Sequence, residues 1–119
     1  MNDVFEELKA IMVPMTKSLD VKCDEPGNYS VDTFHTRKNG TRLWFGGVQI
    51  KKNYVSYHLM PVYVNPELLK GMSPELRKRM QGKSCFNFKT VDKALFEELT
   101  HLTERAFQDY GSKGFLNDS

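Results

Sequence analysis

The sequence predicts an α+β domain in which an antiparallel sheet of about five strands carries the N- and C-terminal helices on one face. Three observations point to it. Apolar residues recur every three to four positions at both ends of the chain, they alternate with polar ones through the middle, and turn residues stand where the period changes.

At the start, Phe5, Leu8, Met12 and Met15 form one stripe, with Glu6, Glu7 and Lys9 between them. Asn2 or Asp3 is placed to cap this helix. Pro14 has no N–H for the carbonyl four residues back, so the helix is expected over 2–13, with one further turn to Ser18. Leu19, Val21 and Cys23 then alternate with Asp20, Lys22 and Asp24 as a first strand, closed by a turn at Glu25-Pro26-Gly27-Asn28. Tyr29 to Phe34 is a second strand, and the polar stretch His35 to Thr41, with Asn39-Gly40, is a hairpin connection. Arg42 to Ile50 makes a third strand, Lys51-Lys52-Asn53 a reversal, and Tyr54 to Met60 a fourth.

Helix punctuation appears twice between Pro61 and Gly82. Asn65-Pro66-Glu67 through Gly71, and Ser73-Pro74-Glu75 through Gln81-Gly82, each supply a cap, proline at the first helical position, an early acid, late cations and a final glycine. Ser84 to Lys89 is a fifth strand, with Phe86 and Phe88 on one side. Thr90 is the expected cap of the last helix, whose stripe is Leu95, Leu99, Leu102, Ala106 and Tyr110 and whose end is Gly111. The domain is thus expected over 1–111, with a loosely held tail over 112–119.

A chain of 119 residues supports one core. Its apolar share of 39% and charged share of 27% are those of an ordinary globular protein. The net charge of +2 is spread among nearly balanced signs, which gives no footprint for nucleic acid or an anionic membrane. No apolar run approaches the roughly 18 residues of a bilayer span, and Met1-Asn2-Asp3 is unlike the basic opening of a signal peptide. A cytoplasmic protein is expected, with Cys23 and Cys85 as reduced thiols.

A sheet covered on one face leaves the other open. If Phe86 and Phe88 face the helices, Cys85 and Asn87 face away; if Val55, Tyr57 and Leu59 face the helices, Tyr54, Ser56, His58 and Met60 face away. Trp44 joins them unless Gly46-Gly47 hosts a bulge that reverses the parity. Trp44 and Tyr63 are the aromatic residues expected to be exposed.

Four kinds of chemistry can be weighed on these residues. Cys85 with His58 could form a thiolate–imidazolium pair, though no nucleophile signature surrounds the cysteine. The two cysteines and His35, His58 and His101 lack the paired spacing of zinc modules. Gly82-Lys83-Ser84 leads into a strand where a phosphate-binding loop needs a helix. Arg77, Lys78, Arg79 and Lys83 form a basic patch that could meet an anion, but that also suits a helix C-terminus.

The stretch from Trp44 to Phe88 resembles the YdhG-like domain family, small bacterial proteins of unknown function with a frataxin-like fold. The resemblance is carried by Phe45-Gly46 with Val48, by Asn53 through Tyr63, by Ser73-Pro74-Glu75-Leu76 and by Gly82 through Phe88. With the flanking helices it covers nearly the whole chain. It implies the same α+β fold and one function, iron handling, since a member of the wider family has been regarded as a frataxin-like iron chaperone. Under that reading the ligands would come from the acids of the first helix and strand, Asp3, Glu6, Glu7, Asp20 and Asp24.

The leading expectation is a non-enzymatic binding module. It would hold a small molecule or protein partner on the open face with Trp44, Ser56, His58, Tyr63, Lys83 and Cys85. Iron handling is the alternative, and catalysis by Cys85 with His58 a third reading. A homodimer through the same face is equally compatible.

Overall fold

A computed structural model describes residues 1–116. Helix α1 (Asn2–Met12) passes at Val13 into a 3-10 turn that runs to Ser18, where Pro14 withholds the next helical donor. Six strands follow in one sheet: β1 (Asp20–Glu25), β2 (Asn28–Thr36), β3 (Arg42–Ile50), β4 (Val55–Leu59), β5 (Met80–Gln81) and β6 (Cys85–Phe88). Every pairing is antiparallel and the order across the sheet is β1-β2-β3-β4-β6-β5. Between β4 and β5 lie α2 (Met60–Val64), a 3-10 turn over Pro66–Leu69 and α3 (Pro74–Arg77); α4 (Lys93–Ser112) closes the fold.

The α+β class and the two terminal helices on the sheet agree with the sequence expectation. Several details differ. The first helix is flanked by Met1 and has no side-chain cap; Asp3 turns its carboxylate onto the adjacent Val4 N–H. The fourth strand stops at Leu59 because Pro61, which suits a first helical turn, starts α2 there. The helix begun at Ser73 lasts one turn, and Met80–Gln81 joins the sheet as a sixth strand. Asp92, not Thr90, caps α4 by accepting from Leu95 N–H at 3.1 Å. Past Gly111 the chain stays packed: Phe115 lies 4.8 Å from the His35 ring and 5.4 Å from Tyr110, centroid to centroid. The remainder of the expected tail, 117–119, lies outside the described residues.

One core fills the space between α1, α4 and the sheet. Phe5, Leu8 and Met12 meet Tyr57, Val48, Phe45 and Phe86 of the sheet and Leu99, Leu102 and Tyr110 of α4, all buried. Tyr57 and Thr103 share a hydroxyl hydrogen bond of 2.7 Å inside it. Among the described residues no buried side-chain nitrogen or oxygen lacks a partner, and no helix is long and apolar enough to cross a membrane.

Candidate functional site

The parity question at Gly46-Gly47 is decided by a bulge. Val31 of β2 stands opposite Gly46 and Asp32 opposite Trp44, so Phe45 is the extra residue. Phe45 turns to the helices, its ring 6.0 Å from Tyr110 and 6.1 Å from Phe107. Trp44 is thereby sent to the opposite face. Strict alternation from the inward Val48 would have buried it, so the bulge is what opens the aromatic to the outer surface.

On that face Trp44 Nε1 donates to Ser30 Oγ at 3.0 Å, and its ring lies 5.4 Å from the His58 ring. Gly47 makes room: a Cβ there would sit 3.1 Å from the indole Cζ2 and 2.7 Å from the Tyr29 carbonyl oxygen. His58 stands opposite Gly47 on one side and Cys85 on the other. Side-chain bonds tie the rest of the surface together. Cys85 Sγ donates to Asn87 Oδ1 at 3.4 Å, Asn87 Nδ2 to Gln81 Oε1 at 2.7 Å, and Gln49 Nε2 to Asn28 Oδ1 at 3.1 Å. Each amide is thereby oriented.

His58 and Cys85 are uncharged, although Lys51 is near enough for its charge to act on both and Asp32 stands opposite Trp44. Burial pushes the His58 pKa down, and the Lys51 charge pushes it the same way. Burial pushes the Cys85 thiol up, more than Lys51 draws it down. A thiolate–imidazolium pair needs both shifts reversed, so neutral thiol beside neutral imidazole is the resting state. Charge collects at the β1 edge, where Asp20 binds Arg42 at 3.1 Å and Lys22 at 3.3 Å, and Arg42 lies 5.4 Å from the Phe34 ring centroid.

The six residues expected to form one site separate into two groups. Trp44, Ser56, His58 and Cys85 share the sheet face, with Ser56 buried among its neighbours, where its hydroxyl faces the Gln49 carbonyl at 3.5 Å. Tyr63 and Lys83 lie elsewhere. Helix α2 carries Tyr63 past the end of β4 to a cleft with His35, Arg37 and Phe115, and Lys83, in the β5–β6 turn, approaches that ring at 6.0 Å. Ser30, Gln49 and Asn28 are the residues missed; alternation along β2 with Tyr29 and Val31 inward would have found the first.

The acids proposed as iron ligands are not brought together. Asp24 is bound by Lys9 at 2.7 Å, Asp3 accepts from the adjacent Val4 N–H in α1, and Glu6 and Glu7 are exposed on that helix. Asp20 is on the other side of the sheet, opposite Asp32. Among the described residues no three His, Cys, Asp or Glu side chains are placed to share a metal ion. Comparison with family models, with curated proteins and with solved structures gives no match.

Proposed function

We propose that this protein is a binding module whose ligand or protein partner sits on the outer sheet face, over Trp44, His58, Cys85 and Asn87. The observation that carries the reading is the combination of a bulge that turns the single tryptophan outward with side-chain amides fixed around it. Fixed donors and acceptors beside an aromatic surface need no reordering when a ligand arrives, which lowers the cost of binding. Over the centre the neutral His58 and Cys85 offer a ligand hydrogen-bonding groups and no charge of their own, with Lys51 and Asp32 as the nearby charges.

Amide NMR spectra recorded against a library of small uncharged fragments test this. Saturable shifts centred on Ser30, Trp44, Gly47, His58, Cys85 and Asn87 are expected, and they should disappear in Trp44→Ala. Hits confined to other surfaces would remove the reading. Shifts at the same residues that grow with protein concentration alone would make a second copy of the chain the occupant.

A further inference from the structure

A second concavity includes Val62 of α2 and shares no lining residue with the cleft at Phe115. Its apolar wall is Val62, which is buried, with Pro66, Leu69 and Met80; Arg77 at the end of α3 and Gly82 and Lys83 in the β5–β6 turn complete it. The cavity measures about 320 Å³. No carboxylate lines it, and among the described residues neither Arg77 nor Lys83 has an ion-pair partner. Glu67, on the same 3-10 turn as Leu69, is taken by Lys70 at 2.9 Å. Tyr63, 55% exposed, stands beside the rim with its ring 6.0 Å from Lys83 Nζ.

Two cations lining one apolar cleft specify what would satisfy both at once. A water molecule solvates the charges and leaves the wall wet; an inorganic anion does the same. An anion with an apolar body pairs with the cations and removes the wall from water. We propose that this cleft binds a small amphipathic carboxylate, its head between Arg77 and Lys83 and its body against Val62, Leu69 and Met80. The arginine can take both carboxylate oxygens through its planar fork, and the lysine adds a point charge. Ligand pockets range from about 300 to 1,000 Å³, so this one suits a short acyl chain or a single aromatic ring. The site shares no residue with the outer sheet face and stands independently of the function proposed for that face.

Amide and methyl NMR titration of the whole chain with octanoate is the test, with 1-octanol and acetate as the body without the charge and the charge without the body. Octanoate should give saturable shifts at Val62, Leu69, Met80 and Lys83 in the millimolar range expected of so small a ligand. Arg77→Gln and Lys83→Gln should each weaken it about tenfold, the cost of one charge-assisted bond. Both side chains are exposed, and the unperturbed remainder of each spectrum reports that the variant is folded. The proposal is overturned if octanoate gives no saturable shift, if 1-octanol binds as tightly, or if the shifts centre on Arg37 and Phe115 instead.

Discussion

Trp44 and His58 face each other across β3 and β4 with ring centroids 5.4 Å apart, on the side of the sheet away from both long helices. Their contact exists because Phe45 is looped out of the pairing with β2, so that one strand presents Phe45 to the core and Trp44 to the outside. The pair makes the single tryptophan a reporter on the state of the histidine.

The His58 pKa is lowered in the folded protein, so the unfolded chain binds a proton first as pH falls below its ordinary value of 6.5. Stability from this group is therefore complete above about 6.5, declines as pH falls from there, and levels off once the folded imidazole is protonated. Tryptophan emission should change with a midpoint below 6.5, and His58→Gln should abolish that step. Urea titrations of both forms at several pH values check the stability effect.

Cys85 should alkylate more slowly than free cysteine at neutral pH, because burial keeps its thiol protonated and its neighbour His58 is a poor proton acceptor there. Iodoacetamide kinetics on the Cys23→Ser variant isolate it. A rate well above that of free cysteine would revive the nucleophile that Cys85 and His58 were considered for.

Gly46→Ala should be severely destabilising, by about 3 kcal/mol or more, since the added methyl would overlap the His58 carbonyl oxygen and lie 2.9 Å from Met12 Cε. The oxygen belongs to the paired backbone and cannot swing aside. Denaturant unfolding measures the loss, and amide shifts should spread along β3 and β4.

Tyr110 hydroxyl donates to the Trp44 carbonyl at 2.9 Å, tying α4 to the bulge from inside. Tyr110→Phe should cost about 1 kcal/mol and move the Trp44 and Phe45 amides, whereas Phe45→Ala should cost about 3–5 kcal/mol through the cavity it leaves. Urea midpoints of the two variants give the comparison.

Anaerobic titration with ferrous iron should give no localised, saturable broadening over Asp3, Glu6, Glu7, Asp20 and Asp24. Lys9 and Arg42 already neutralise two of these acids, and the sheet separates Asp20 from Asp24. Broadening confined to this set would restore the frataxin-like alternative.

Long periodic segments were readable from residues alone. Nine residues of alternating or continuous apolar character, Arg42–Ile50, give a strand whose limits match the structure, and Asn65 and Ser73 cap the turns their prolines begin, accepting from Glu67 and Leu76 N–H. Met80–Gln81 was not readable, because two residues have no period and the segment pairs only through contact with β6. The grouping of Tyr63 with Trp44 failed for a related reason. The exposure of Tyr63 was readable but its direction was not: the strand is expected to end at Met60, and Pro61 then starts a helix that carries Tyr63 away from the sheet face. Trp44 lies on the expected face, half-buried and not exposed, but the expected role of a bulge is inverted: it was to turn Trp44 inward, whereas looping out Phe45 turns Trp44 outward, and which residue is looped out depends on the pairing of Val31 and Asp32.

Binding on the outer sheet face requires that face to stand open to solvent, and a soluble gadolinium chelate tests that most directly. Added to dilute protein, it should broaden the Trp44 indole N–H, the His58 ring protons and the Asn87 and Gln49 side-chain amides, while leaving Tyr57, Phe86 and Leu99 sharp. Protection of the Trp44, His58 and Asn87 signals at the lowest protein concentration would contradict the account, because something would then already cover the surface assigned to the ligand.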